Sequence, residues 1–158
     1  MRILAVAILL LFAGARSEAQ LVSNERTMTL GTLEFTSSVA FVDDEKIIQT
    51  VVRVTNRGRD TTQMITPTPS CTVMLLIHRE IRSTDAPVWD GRRKERVCTL
   101  EARMWTIAPG SSVTFADTDS VAVVRRHTSP GVLYYFSALM YVGRLGSLEL
   151  LTAAGRIP

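Results

Sequence analysis

The sequence predicts an all-β protein: an antiparallel β-sandwich of about seven to nine strands, preceded by a cleaved signal peptide. Three observations carry that prediction. Apolar side chains recur with a two-residue period in segment after segment, the period of a half-buried strand. Turn-forming Gly, Pro, Asn and Asp interrupt those segments at intervals of about ten residues, the spacing of a sandwich. Beyond the N-terminal segment, no stretch of ten residues keeps the 3.6-residue period of an amphipathic helix. The 158-residue chain is 46% hydrophobic and 21% charged. That composition excludes wholesale disorder, a collagen-like repeat and a disulfide-dense miniprotein.

The N-terminal segment comes first. Met1-Arg2 is a short basic start, Ile3 to Ala13 is an unbroken apolar run, and Ser17-Glu18-Ala19 places small residues where a signal peptidase reads them. The pattern is that of a secretory signal peptide spanning 1–19. A transmembrane anchor, the alternative, needs about 20 apolar residues, roughly twice this run. Ala13-Gly14-Ala15 is a second possible cleavage site, but it follows the apolar run too closely. The mature chain is expected to start at Gln20, in the periplasm or outside the cell, with no membrane span of its own.

Export decides how the cysteines are read. Only Cys71 and Cys98 are present, and in an oxidising compartment one disulfide is the default expectation. Closing that loop would stabilise the chain by roughly 3–4 kcal/mol in the chain-entropy picture. The alternative is a thiolate metal site, for which only His78 and His127 could serve as further ligands. Their spacing matches no zinc finger, and the clustered Cys, His and Met of a blue-copper site are missing. No metal and no cofactor are expected.

The strands follow in order. In Thr32–Thr36, Leu33 and Phe35 share a face, and Val39 to Val42 continues the strand. Asp43-Asp44-Glu45 is an acidic turn; three consecutive acids do not space their oxygens around calcium. Lys46 to Thr55 is the clearest strand, with Ile48, Val52 and Val54 in one row, and it exits through Asn56-Arg57-Gly58. Thr61 to Thr66 is a short strand stopped by Pro67 and Pro69. From Cys71 to Ile77 the odd positions Cys71, Val73, Leu75 and Ile77 align, which leaves His78 on the opposite, exposed side. From Val97 to Ile107 the even positions Cys98, Leu100, Ala102 and Met104 align, so each cysteine is expected on an apolar face. Ala108-Pro109-Gly110 is a turn, followed by Val113 and Phe115 on one face and the apolar run Val121 to Val124. After Ser129-Pro130-Gly131, Val132 to Val142 aligns Tyr134, Phe136, Ala138 and Met140. Gly143 to Ser147 then turns the chain back into Leu148 to Thr152. With no repeat or linker in sight, residues 28–158 are expected to form a single domain.

The longest gap between strands, Arg79 to Arg96, holds Val88-Trp89 as its apolar anchor and then Arg92, Arg93, Lys94 and Arg96. A loop of that length is either functional or packed down by its own side chains. Trp89 itself reads as a satellite of the core in preference to a ligand contact. Of the 18 basic residues only Lys46 and Lys94 are not Arg. The clusters lie in turns and lack interleaved aromatics, so they read as solubilising rims rather than a nucleic-acid face. His127, between Arg126 and Thr128, reads as a loop residue. No G-x-S-x-G elbow, H-E-x-x-H or P-loop occurs, so no enzyme is expected.

One family shares the order of these features. Val52, Val54 and Asn56 end a strand; Val88-Trp89-Asp90 follows; Ala108-Pro109-Gly110 precedes a short strand; and Pro130-Gly131 stands ahead of Tyr134-Tyr135-Phe136. This order resembles the intracellular proteinase inhibitor domain of bacilli, BsuPI, and its exported relatives of unknown function, across about Lys46 to Val142. The resemblance implies an immunoglobulin-like sandwich. It departs from the family in its export signal, in one extra residue before Tyr134, and in Cys71 and Cys98, which look like a feature of the exported branch. Function lives in sites rather than folds, so two expectations stand. The first is an exported, non-enzymatic module that binds a protein or envelope partner through its loops, with Trp89, Arg92, Arg93 and Arg96 as the contact residues on a base fixed by the disulfide. The alternative is a proteinase inhibitor that inserts a loop into a protease active site.

Overall fold

The computed structural model describes residues 22–23, 25–81, 85–96, 98, 101–143 and 146–158. The signal segment 1–19, the start at Gln20, and the Val97 and Leu100 positions of the expected strand lie outside the described residues. Eleven strands occur among those described: β1 (Val22–Ser23), β2 (Arg26–Leu30), β3 (Leu33–Val42), β4 (Ile47–Asn56), β5 (Thr62–Thr66), β6 (Val73–His78), β7 (Trp89–Asp90), β8 (Arg103–Ile107), β9 (Ser112–Ser120), β10 (Leu133–Val142) and β11 (Gly146–Arg156). The excess over nine comes from two-residue strands and from β2, a strand whose five residues are all exposed. The sheets thus include residues ahead of position 28.

Two antiparallel sheets face each other. One runs β1-β11-β10-β6-β7, the other β2-β3-β4-β9, and β5-β8 forms a separate ribbon. Taking β3, β4 and β9 as strands A, B and E, and β6, β10 and β11 as C, F and G, gives the immunoglobulin-like order. A tyrosine corner marks the same topology. Tyr134, near the start of β10, accepts a 2.7 Å hydrogen bond from the Ser129 backbone N–H five residues upstream.

The alternating rows fill the space between the sheets. Leu33, Phe35 and Val39 from β3 and Ile48, Val52 and Val54 from β4 are buried against Val73, Leu75 and Ile77 of β6 and Tyr134, Phe136, Ala138 and Met140 of β10. One buried polar contact crosses the layers, a 2.8 Å hydrogen bond between Ser37 and Thr152. At the end of β4, Asn56 ties the exit turn to the Ala108-Pro109-Gly110 turn. Its side-chain amide donates to the carbonyls of Asp60 and Ile107, and its own carbonyl accepts from Gly110 N–H.

Three expectations need correction. Val121 to Val124 forms one turn of helix, α1, with Val121 and Val124 buried, since residues three apart share a helical face. Cys71 ends a short 3-10 turn, Pro69–Cys71. That turn breaks the alternation, so Cys71 packs with Met74, Leu76 and Leu139 on the outer side of β6 and not with Val73, Leu75 and Ile77. In β8 the inward face is inverted. Trp105 and Ile107 meet the core while Met104 is 61% exposed and Ala102 and Cys98 are exposed. Pairing with β5 sets this register, because Met64, directly across from Trp105, is buried.

Candidate functional site

The residues singled out by sequence converge on the segment that follows β7. Trp89 and Asp90 pair with Ile77 and Leu76 of β6. Trp89 is buried in the core beside Leu75 and Ile77, and its ring centroid lies 5.3 Å from that of His127, the planes tilted by 49°. The satellite reading of Trp89 is therefore the observed one. The chain next passes Gly91, where a Cβ would stand 2.9 Å from the Leu75 carbonyl oxygen. Only glycine allows that close approach to β6.

Four cations follow, and three are held. The Asp90 carboxylate caps the 3-10 turn Gly91–Arg93 by accepting from Arg92 N–H, and it takes a bidentate pair from the Arg92 guanidinium at 2.7–3.0 Å. Hydrogen bonding from Arg92 holds the Asp90 carboxyl below the usual carboxylate range, and Asp90 in return raises Arg92 above the usual guanidinium range. Lys94 Nζ stands 3.2 Å from Asp117 Oδ1 and also donates to the Thr118 carbonyl.

Arg96 is only 8% exposed and donates to three acceptors. These are the Gly91 carbonyl at 3.2 Å, the Ser70 carbonyl at 2.7 Å and Asp117 Oδ2 at 2.5 Å. The expectation that Arg96 lies on an open cationic surface is corrected: its guanidinium joins the arc to β9 and to the Pro69–Cys71 turn. Arg93 is exposed, with no hydrogen bond or ion pair among the described residues, and Arg92 keeps half of its side chain in solvent. The disulfide Cys71–Cys98 closes the brace, with its Cα atoms 5.8 Å apart.

The aspartates beside this arc stand in a row that the two-residue period of the sequence marks. Asp117 and Asp119 continue, at two-residue spacing, the inward row of Val113 and Phe115 on β9. Asp119 is 2% exposed, and neither of its oxygens has a hydrogen-bond partner. Lys94 Nζ at 3.7 Å is its nearest counter-charge. Burial raises its pKa, opposed by Lys94 and by the indole N–H of Trp89 beside it. His78, expected on an exposed side, is 12% exposed, with Nε2 2.9 Å from Glu149 Oε1 at an angle too poor for a hydrogen bond. His78 is the last residue of β6 and pairs with Tyr135 of β10.

Among the described residues no three His, Cys, Asp or Glu side chains cluster as metal ligands would, and no helix is long and apolar enough to cross a membrane. No family model and no curated protein sequence matches the chain.

Proposed function

We propose that this protein is an exported, non-enzymatic interaction module that binds a protein partner through the braced arc after β7, with Arg92 and Arg93 as its contact cations. The observation that carries the reading is the number of independent ties on so short a segment. Trp89 fixes the arc to the core beside β6, Lys94 and Arg96 both fix it to Asp117 of β9, and Arg96 and the disulfide fix it to the Pro69–Cys71 turn. Ordering costs of about 0.5–1.5 kcal/mol per immobilised side chain weigh against any loop that binds, and this arc has met much of that cost on folding.

The test compares partner capture from an envelope extract by the unaltered protein and by Arg93→Ser, a variant that spares the Arg92–Asp90 pair and Arg96. Loss of the captured band, with the melting temperature within a few degrees, supports the arc as the site. Equal capture by both proteins overturns it. The rigidity that favours a binding loop would also suit a proteinase inhibitor, so a protease panel separates the two. An inhibitor slows an enzyme at near-stoichiometric ratio and survives uncut, and an interaction module does neither.

A further inference from the structure

A second surface lies on another part of the molecule and does not depend on the arc. Among the described residues β2 is an edge strand, paired only with β3. It carries no proline or bulge, and its one charge is Arg26 at its start, so the rest of the edge lacks the features that usually blunt one; it exposes Met28 and Leu30. Its hairpin turns in two residues, Gly31-Thr32, with Gly31 at φ 60°. In such a hairpin Leu30 and Leu33 are the hydrogen-bonded pair, so alternation turns the backbone N–H and C=O of Thr27 and Thr29 toward the unpaired edge.

An open groove of about 590 Å³ runs beside that edge. Arg26, Thr27 and Met28 form one wall. Because they are consecutive and alternate between the faces of β2, the groove follows the strand's edge and not one of its faces. The opposite wall is the outer side of β6, β10 and β11, with His78, Tyr135 and Glu149, together with Glu80 in the segment after β6. Among the described residues two carboxylates, Glu80 and Glu149, line that side, Glu149 lying 2.9 Å from His78 Nε2, which makes no hydrogen bond; across the groove Arg26 is the one opposing charge.

We infer that β2 is a strand-addition site for an extended peptide with a basic side chain: the peptide backbone pairs with Thr27 and Thr29, and a Lys or Arg enters the groove toward Glu80 and Glu149. Strand addition takes affinity from main-chain hydrogen bonds and specificity from pockets for alternate side chains. This arrangement supplies both, and the carboxylate pair selects the cation.

The probe is a fluorescein-labelled, end-blocked heptapeptide, Thr-Val-Thr-Lys-Thr-Val-Thr, titrated with the purified protein by anisotropy beside its Glu-centred counterpart. The Lys peptide is expected to saturate and to bind at least about tenfold more tightly than the Glu peptide, since charge-assisted hydrogen bonds set the preference. Thr27→Pro and Thr29→Pro remove outward N–H groups at edge positions that tolerate proline. Each should abolish binding of the Lys peptide with unchanged circular dichroism. Glu149→Gln with Glu80→Gln should erase the preference while leaving residual binding. Failure of the unaltered protein to saturate, equal affinity for both peptides, or full binding by the proline variants would overturn the inference. A concentration-dependent dimer lost in the proline variants would reassign the edge to a second copy of the chain, and it too would overturn the peptide site.

Discussion

Arg96 donates to acceptors from three separate places in the chain, and its removal would leave the mostly buried Asp117 carboxylate with Lys94 alone and the Ser70 and Gly91 carbonyls without this donor. Breaking a buried pair from one side costs about 3–5 kcal/mol. Arg96→Ala should therefore lower unfolding free energy by about 3 kcal/mol in a urea titration, while Arg93→Ser should change it by less than about 0.5 kcal/mol. Nothing in the run Arg92-Arg93-Lys94-Glu95-Arg96 distinguishes these residues, because the acceptors of Arg96 lie 5, 21 and 26 positions away. Asp119 gives a pH-dependent counterpart. Its folded-state pKa is raised by burial, so its contribution is fully present below its unfolded-state pKa and is lost as pH rises through the folded one. Asp119→Asn should then gain on the unaltered protein between pH 4 and pH 8, read as a difference in melting temperature that grows with pH. Asp90 works in the opposite sense. Its lowered pKa adds stability above its unfolded-state value, and that stability is lost as pH falls through the folded one.

At the scale of elements, the strands with one buried face were legible and those held by backbone pairing or by a neighbour were not. The row Ile48, Val52 and Val54 and the row Tyr134, Phe136, Ala138 and Met140 are buried as their spacing requires. β6 is buried on both faces, so its period identified a strand but could not assign Cys71 to a side. β8 was read on the wrong face because Ala102 and Met104 are apolar yet exposed, and its register answers to β5. β2 buries nothing, and so left no row to find. The β3–β4 turn was expected as an acidic turn and is one, but its backbone is unusual. Asp43, Asp44 and Glu45 all have positive φ, at 52°, 50° and 62°. Each left-handed non-glycine residue costs about 1–2 kcal/mol, and glycine relieves the strain at some loss to unfolded-state entropy. Asp44→Gly should stabilise the protein by about 1 kcal/mol, seen as a higher urea midpoint at unchanged slope.

The whole molecule is a sandwich with one long connection pinned to it. The two cysteines, 27 positions apart, were legible as a pair from export and from their number. What they pin was not legible, because Asp117, Ser70 and Gly91 become neighbours of Arg96 only in the folded chain. Replacing Cys71 and Cys98 by Ala should cost about 2–5 kcal/mol, measured by thermal unfolding. Stability alone cannot separate a rigid arc from a slack one, and the proposed function rests on rigidity. Amide hydrogen exchange of residues 91–96 in the oxidised protein tests this most directly. Protection within about tenfold of that in β6 and β7, reduced in Arg96→Ala, is the predicted result. Exchange at the rate of an unstructured loop, the same with and without Arg96, would contradict it.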